Sequence, residues 1–252
     1  MRLLLHTANS PADDLALEEA IHLALEDDAS PNTWRVWQAK VPAVVLGTGQ
    51  EHARETNLET IQAREVPVLR RHSGGGAVVI GPGAINFSAF YRFADLPGSE
   101  TIRGAMAAAL KPVIGALARL GVQARSAGLS DLAVLSTDGT LRKISGNSQA
   151  RKKRGVVVHG TLLADPDFAF IQSVLSFPSS VPDYRSGRDH RTFLTSLREL
   201  NVRCDVESFT KELIAELPSD ILITSEASAD ERTRAARLLE EKYGNPAWNL
   251  RR

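Results

Sequence analysis

The chain has 252 residues, and its 30 Lys and Arg residues balance 30 Asp and Glu residues to a formal net charge of +0. This balance argues against bulk binding of nucleic acid or an anionic membrane, because both require an excess of positive charge. No apolar run is long enough to span a bilayer, and the apolar start is too short for a signal peptide. The single cysteine, Cys204, can form neither an internal disulfide nor a structural zinc site. We therefore expect a cytoplasmic protein.

Helices are predicted near both ends of the chain, and strands dominate its middle. Ser10 and Pro11 are typical of a helix start, and the following apolar residues recur at helical spacing. Apolar runs between turn residues predict strands over 33–38, 43–46, 66–71, 77–80, 85–91, 131–136, 141–144 and 155–159. Further helices are predicted over 58–64, from a cap at Ser99 to a stop at Gly121, from Asp165 to Leu175, around 209–217 and after Ser228.

This order of elements indicates an α+β fold, with a central mixed or antiparallel sheet flanked by helices. We expect one domain over residues 1–252, with a small helical portion from about residue 205. The stretch 177–191 is rich in Ser, Pro, Gly and charged residues, which predicts a loop that crosses the surface.

A glycine-rich segment, Arg70-Arg71-His72-Ser73-Gly74-Gly75-Gly76, joins two predicted strands. Successive glycine N–H groups can form a concave anion-binding nest, and the arginine pair supplies forked donors. The segment is neither a Walker A loop nor a Rossmann fingerprint, because its glycines are consecutive and lead into a strand. A glycine-rich hairpin turn with solvated arginines is the alternative interpretation.

A second polar motif follows in Lys143-Ile144-Ser145-Gly146-Asn147-Ser148-Gln149. Strand alternation predicts that Lys143 and Ser145 share one face, and Gly146 permits a bend beside them. Lys143 could neutralise a phosphate or the negative charge that develops in acyl transfer. A solvated surface lysine is the alternative. The basic run 151–154 is typical of a solvated loop, and it is not sufficient for nucleic-acid binding.

A third candidate is His159, which ends an apolar run beside Gly160. It is either a buried, hydrogen-bonded histidine or a polar contact at the floor of a pocket. No cluster of His, Cys or Asp has metal-ligand spacing, so no metal site is predicted. Ser73 lacks a Gly-x-Ser-x-Gly context, which argues against a serine hydrolase.

Taken in order, these segments resemble the lipoate–protein ligase family, within the group of biotin and lipoyl protein ligases and octanoyltransferases. The segment 70–78 is similar to the family's Arg-Arg-x-Ser-Gly-Gly-Gly-Ala-Val motif. The segments 143–149 and 159–163 resemble its Lys-Ile-Ser-Gly-Asn-Ala-Gln and His-Gly-Thr-Leu-Leu motifs. The resemblance also extends to Asn86-Phe87-Ser88, to Ser130-Asp131-Leu132 and to the tail at 242–249.

The resemblance implies the catalytic-domain fold of the biotin and lipoyl protein ligases. It also implies that MgATP activates lipoate or octanoate as an acyl-adenylate, and that the acyl group passes to a lysine of a lipoyl carrier domain. By the same resemblance Lys143 is the catalytic lysine. The residues implied to bind substrate and adenylate are Arg70, Arg71, Ser73, Gly74, Gly75, Gly76, Asn86, Asp131, Ser145, Gly146, Gln149, His159, Gly160 and Thr161.

The chain departs from the family pattern at Val79-Ile80-Gly81, where relatives commonly carry Tyr-His-Asp. We also expect no accessory C-terminal domain, which leaves open a separate small accessory subunit or a self-sufficient short form.

Two alternatives to a ligase remain. A transferase of the same fold would need a pocket thiolate, but Cys204 lies outside both segments where transferases carry theirs. A non-catalytic binder of lipoyl domains is disfavoured by the complete motif around Lys143.

Overall fold

The computed structural model describes residues 1–251, in which eleven strands and nine α-helices are present. The strands are β1 (Arg2–Leu5), β2 (Thr33–Trp37), β3 (Ala43–Leu46), β4 (Val68–Arg70), β5 (Val78–Ile80), β6 (Ala84–Arg92), β7 (Ala124–Ala127), β8 (Asp131–Leu135), β9 (Leu141–Arg151), β10 (Gly155–Leu163) and β11 (Leu222–Thr224). The helices are α1 (Pro11–Glu26), α2 (His52–Glu55), α3 (Leu58–Ala63), α4 (Ile102–Arg119), α5 (Phe168–Val174), α6 (His190–Phe193), α7 (Val206–Ile214), α8 (Ala229–Leu238) and α9 (Pro246–Asn249). Within this described range, no helix combines the length and apolar character needed to cross a membrane.

Eight strands form one mixed sheet in the order β11-β1-β2-β6-β10-β9-β8-β7. β1 runs parallel to β2 and β11, and every other pair of neighbours is antiparallel. The remaining strands form a small sheet in the order β4-β3-β5. The mixed central sheet and flanking helices confirm the predicted α+β class.

The two faces of the large sheet are buried by different helices. On one face, Met106 and Leu110 of α4 and Phe209 of α7 pack in the main core with Phe87 of β6 and Ile144 of β9. On the other face, α1 packs its apolar stripe of Leu17, Ile21 and Leu25 against β6 and β10. The small sheet lies beside α1 on this second face, where Leu15, Trp37 and Ile80 share a core cluster. The two sheets therefore enclose a space next to α1.

Local sequence signals determine several of the helix boundaries. The Ser10 side chain accepts a hydrogen bond from the Asp13 backbone N–H and caps α1 as predicted. Ser228 and Glu231 form the predicted capping box of α8. The cap of α4 is Thr101 rather than Ser99, because the Ser99 hydroxyl donates to the carbonyl of Phe93 instead.

Two longer segments differ from the sequence-based expectation. Residues 177–191 do not merely cross the surface, because a 3₁₀ turn over Asp183–Arg185 folds this segment against the space between the sheets. The portion after residue 205 is not purely helical, because β11 extends the large sheet at the edge of β1. Its three residues are too few for the strand periodicity to be recognised in the sequence.

Candidate functional site

A cavity of about 940 Å³ lies between the large sheet, the small sheet and α1. Glu18 of α1, Val45 of β3 and Val79 of β5 contribute to its walls. Residues 178–185 also border it, and they belong to the segment 177–191, which we call the long loop. Its volume is within the usual range for a small-molecule or cofactor site. The departure at Val79-Ile80-Gly81 places apolar side chains on this wall, since Val79 and Ile80 line the cavity and are buried.

One row of residues crosses the large sheet along the cavity. The strand register places Trp37 opposite Asn86, Asn86 opposite Thr161, Thr161 opposite Gly146 and Gly146 opposite Asp131. All five line the cavity. Because neighbouring strands are about 4.8 Å apart, the row spans roughly 14 Å from Trp37 to Gly146. This length suits a narrow, extended ligand lying across the strands.

Lys143 reaches the cavity because of an irregularity in β9. The pairing of β8 with β9 shifts register after Leu132, so that Ile144 has no partner opposite it. As a result Lys143 and Ser145 do not share a face, contrary to the expectation from strand alternation. The Lys143 side chain lies over Gly146, because a Cβ added to Gly146 would be 2.8 Å from the Cε and Nζ atoms of Lys143. Ser145 points the other way and is fully buried, with its hydroxyl donating to Asn147 Oδ1.

The ammonium group of Lys143 is paired with Asp131 at the mouth of the cavity. Lys143 Nζ lies 2.7 Å from Asp131 Oδ1, and the Tyr184 hydroxyl donates to the other carboxylate oxygen over 2.8 Å. Burial and the negative charge of Asp131 raise the pKa of Tyr184 well above its ordinary value, so the phenol stays protonated. Tyr184 thus connects the long loop to the ion pair.

The glycine-rich segment is held in shape by Arg71. Its guanidinium donates to the carbonyls of Gly74 and Gly76, to the carbonyl of Val45 and to the hydroxyl of Ser73. Gly75 has a φ of +85°, a backbone conformation that favours glycine. Its carbonyl oxygen lies so close to Gly47 that a Cβ on residue 47 would be only 2.1 Å from this oxygen. Burial lowers the pKa of Arg71 to about 10, which leaves it charged at neutral pH.

A buried chain of polar groups joins this segment to α1. The hydroxyl of Ser73 lies 2.6 Å from His159 Nε2, and His159 Nδ1 bonds the carboxylate of Glu18, which also accepts from Ser88. Burial opposes ionisation of Glu18, but His159, His72 and Ser88 together lower its pKa to about 2. The order Ser73–His159–Glu18 resembles a catalytic triad, but Ser73 is 1% exposed and does not line the cavity. These hydrogen-bonded groups therefore hold the glycine-rich segment in place.

Arg70 lies behind the loop rather than in the cavity. Its guanidinium donates to the carbonyls of Gly47 and Gln50 on one side and of Asn249 and Arg251 on the other. The indole of Trp248 returns a hydrogen bond to the Arg70 carbonyl. Arg70 thus connects the glycine-rich segment to α9, 178–181 residues further along the chain.

The structure brings ten of the predicted site residues to the cavity wall: Arg71, Gly75, Gly76, Asn86, Asp131, Lys143, Gly146, His159, Gly160 and Thr161. Five others do not line it: Arg70, Ser73, Gly74, Ser145 and Gln149. The Gln149 amide instead donates to the carbonyl of Ile102, at the start of α4. Sequence reasoning missed Glu18, Trp37 and Tyr184, because none of the three belongs to a motif that sets it apart from the rest of its helix, strand or loop.

Comparison with known proteins assigns the chain to a family. The sequence profile of the lipoyl protein ligase A/B catalytic domain matches residues 10–218. Lipoate–protein ligase 1 of Staphylococcus aureus is 27% identical over 252 residues, which cover 96% of this chain and 70% of that protein. The octanoyltransferase LipM of Kyrpidia tusciae is 29% identical over 273 residues, which cover 99% of this chain and 98% of that protein.

A solved structure shows the same fold. It describes a bipartite lipoate protein ligase and its E2 lipoyl domain from Thermoplasma acidophilum, with a TM-score of 0.81 at 24% identity, covering 99% of this chain and 95% of that one. The chain belongs to the lipoyl protein ligase A/B catalytic domain family, as the sequence motifs indicated.

Proposed function

We propose that the protein is an ATP-dependent lipoate–protein ligase. The observation that carries the proposal is the position of Lys143, whose side chain faces the cavity, where none of the described residues offers a thiol. Among residues 1–251 Cys204 is the one cysteine; it does not line the cavity, and burial and Asp205 raise the pKa of its thiol to about 11. A thioester-forming transferase needs a thiolate at the acyl group.

The proposed reaction has two steps. First, a carboxylate oxygen of lipoate or octanoate attacks the α-phosphorus of MgATP, and pyrophosphate leaves with the electron pair of the broken P–O bond. Second, the amine of a carrier-domain lysine attacks the acyl carbon and loses a proton, and AMP leaves. Lys143 would stabilise the negative charge on the attacked phosphate and then on the acyl oxygen. The row from Gly146 to Trp37 offers the length for an eight-carbon acyl chain.

The acceptor in this proposal is a lipoyl carrier domain, which would approach the mouth of the cavity where the Lys143 side chain is 25% exposed. We also propose that the described chain acts as one catalytic domain. The C-terminal portion supports this proposal, because Lys242 and Tyr243 both donate to Glu19 of α1.

Mass spectrometry of an apo-lipoyl domain tests the function. The domain is incubated with the protein and lipoate or octanoate, with and without MgATP, and separately with octanoyl-acyl carrier protein. Added mass that requires ATP supports the ligase. Transfer from the acyl carrier protein alone would establish the alternative, an octanoyltransferase like the LipM relative. No transfer under any condition would indicate a non-catalytic binder.

Lys143→Met gives a second test, with Lys211→Met on the exposed face of α7 as the matched control. We expect the Lys143 variant to lose about 100-fold or more in ligation rate. The control should retain wild-type activity. Equal rates for Lys143→Met and the wild type would refute the role assigned to Lys143.

A further inference from the structure

His190 is an imidazole on the cavity wall that the proposed two-step reaction leaves without a role. It is the first residue of α6, at the end of the long loop, and it lines the cavity. Leu194, which directly follows this helix, pairs with Lys143 of β9, and the next N–H, that of Thr195, donates to the Lys143 carbonyl over 2.9 Å. The Leu194 N–H in turn donates to the carbonyl of His190. The fold therefore holds this imidazole at the same end of the cavity as Lys143.

One hydrogen bond determines which ring nitrogen of His190 carries a proton. Nε2 lies 3.0 Å from the carbonyl oxygen of Ser176. Because a carbonyl oxygen can only accept, Nε2 must be the protonated nitrogen of the neutral ring. Among residues 1–251 no group forms a hydrogen bond with Nδ1. Nδ1 therefore keeps a free lone pair that can accept a proton.

The surroundings of His190 keep its ring uncharged. Burial lowers the pKa of His190 below its ordinary value of 6.5, and the positive charges of Arg185 and Lys143 act in the same direction. The hydrogen bond to Ser176 and the negative charge of Asp189 oppose this shift without reversing it. At neutral pH most molecules therefore carry His190 as a neutral base.

The other acid and base groups of the cavity wall are less suited to accept a proton. Asp131, Glu18 and Glu55 each accept hydrogen bonds from groups of the protein. Both ring nitrogens of His159 are also bonded. Asp183 lies exposed at the rim, and an ordinary carboxylate is a much weaker base than an imidazole. His190 is thus the best placed general base among the described residues of the cavity wall.

We propose that His190 is the general base of acyl transfer and takes the proton from the amine of the acceptor lysine. This proposal rests on the proposed ligase function and adds a residue that its second step needs. The lysine nitrogen bonds to the acyl carbon, the bond from that carbon to the AMP oxygen breaks, and its electron pair leaves with AMP. The proton of the attacking nitrogen goes to His190 Nδ1, while Lys143 stabilises the acyl oxygen.

Single-turnover kinetics test the proposal because they separate the two steps. The protein is loaded with lipoate and MgATP while pyrophosphate release is measured, and it is then mixed with an apo-lipoyl domain whose modification is followed by mass spectrometry. His190→Gln keeps a donor for the Ser176 carbonyl but offers no base. We expect pyrophosphate release to change less than about twofold and the transfer rate to fall about 100-fold or more.

His6→Asn is the matched control, because His6 also hydrogen-bonds a backbone carbonyl, that of Ser225, but does not line the cavity. It should keep the wild-type transfer rate. Imidazole added to His190→Ala should restore part of the lost transfer rate, because it can supply the missing base. Nitrogen-15 NMR of the wild type at neutral pH should show a neutral His190 ring with its proton on Nε2.

Thermal unfolding checks that each variant is folded, and the NMR measurement decides independently of the variants. A charged His190 ring or a proton on Nδ1 would overturn the proposal. Equal losses in both steps of His190→Gln would indicate a structural role and overturn it as well. A loss confined to Asp183→Asn would assign the base to that carboxylate instead.

The same assays distinguish this proposal from the function on which it rests. A wild-type protein that performs both steps, together with a folded His190→Gln that transfers at the wild-type rate, refutes only the role of His190. A wild-type protein that releases no pyrophosphate with lipoate refutes the ligase function itself.

Discussion

Gly146 lies directly beneath the side chain of Lys143, at a distance that leaves no room for a methyl group. A Cβ at position 146 would stand 2.8 Å from both Cε and Nζ of the lysine. The glycine of this motif therefore serves to let the lysine cross the strand toward Asp131. This relationship explains why a lysine and a glycine three residues apart act as a unit.

Gly146→Ala should consequently impair catalysis more than folding. Because the lysine side chain can swing aside, we expect the ligation rate to fall about tenfold to 100-fold, while the melting temperature changes little. Steady-state ligation kinetics and calorimetry measure the two effects. Gly49→Ala is the matched control, since a Cβ there meets nothing within 4 Å. A Gly146→Ala enzyme with the wild-type rate would show that the position of Lys143 is not critical.

Arg70→Met should destabilise the protein although Arg70 stands in the glycine-rich motif. Its removal leaves the buried carbonyls of Gly47 and Asn249 and the partly buried carbonyl of Gln50 without this donor, which we expect to cost about 3 kcal/mol. For a chain of this size that corresponds to a fall in melting temperature of roughly 6–12 °C. Calorimetry measures the fall, and hydrogen exchange should show early opening of α9.

Arg237→Met is the control for this effect, because Arg237 is an exposed arginine paired with Glu241 within one helical turn. It should leave the melting temperature nearly unchanged. If Arg70→Met and Arg237→Met have the same melting temperature, the connection between Arg70 and α9 does not contribute to stability.

The stability of the protein should decline as the pH falls below about 6.5. Burial lowers the pKa of His22 to about 4 and that of His72 to about 3. Between these values and 6.5 the unfolded chain takes up protons that the folded chain does not, so the free energy of unfolding decreases with decreasing pH. Glu18, with a pKa lowered to about 2, adds a further loss below about pH 4.5, in the same direction.

His22→Gln removes one of these groups and tests the assignment. Urea titrations at pH 7, 6 and 5 should give a pH dependence that is flatter by up to about 1.4 kcal/mol per pH unit. His52→Gln, at the start of α2, is the control. Identical slopes for His22→Gln and the wild type would contradict the assignment of the pH dependence to the buried His22.

Cys204→Ala should retain ligation activity within about twofold. The thiol lies beside Asp205, away from the cavity, and its raised pKa of about 11 leaves little thiolate at neutral pH. Ligation assays before and after treatment with a thiol-alkylating reagent give an independent measurement. Complete loss of acyl transfer in the alanine variant would favour the transferase over the ligase.

The sequence was sufficient to predict most elements of the fold and the segments that carry the site. Strands β6 and β10 have long apolar runs, and Lys143 and His159 stand in recognisable motifs. The face of Lys143 could not be predicted, because a register shift between two strands depends on their pairing and not on either strand alone. The same applies to Glu18, whose contact with His159 joins residues 141 positions apart.

The stretch 177–191 was predicted as a surface loop, but it contains the 3₁₀ turn Asp183–Arg185 and the start of α6, and its location was not predictable. Ser176 and Ser179 bond to Glu55 of α2, and Tyr184 bonds to Asp131, so tertiary contacts alone place it against the cavity. Arg70 was misplaced for a related reason. A charged residue next to a glycine-rich segment suggests a ligand, whereas here its partners are backbone carbonyls contributed mainly by distant residues.

The connection between Arg70 and α9 also has a consequence for the order of assembly during synthesis. The residues that hold the back of the glycine-rich segment follow it by almost 180 positions, so they leave the ribosome long after the segment itself. A growing chain that has completed only the first sheet strands lacks the carbonyls of residues 248–251. The hydrogen bonds behind the glycine-rich segment can therefore form only after α9 has been synthesised and has folded back.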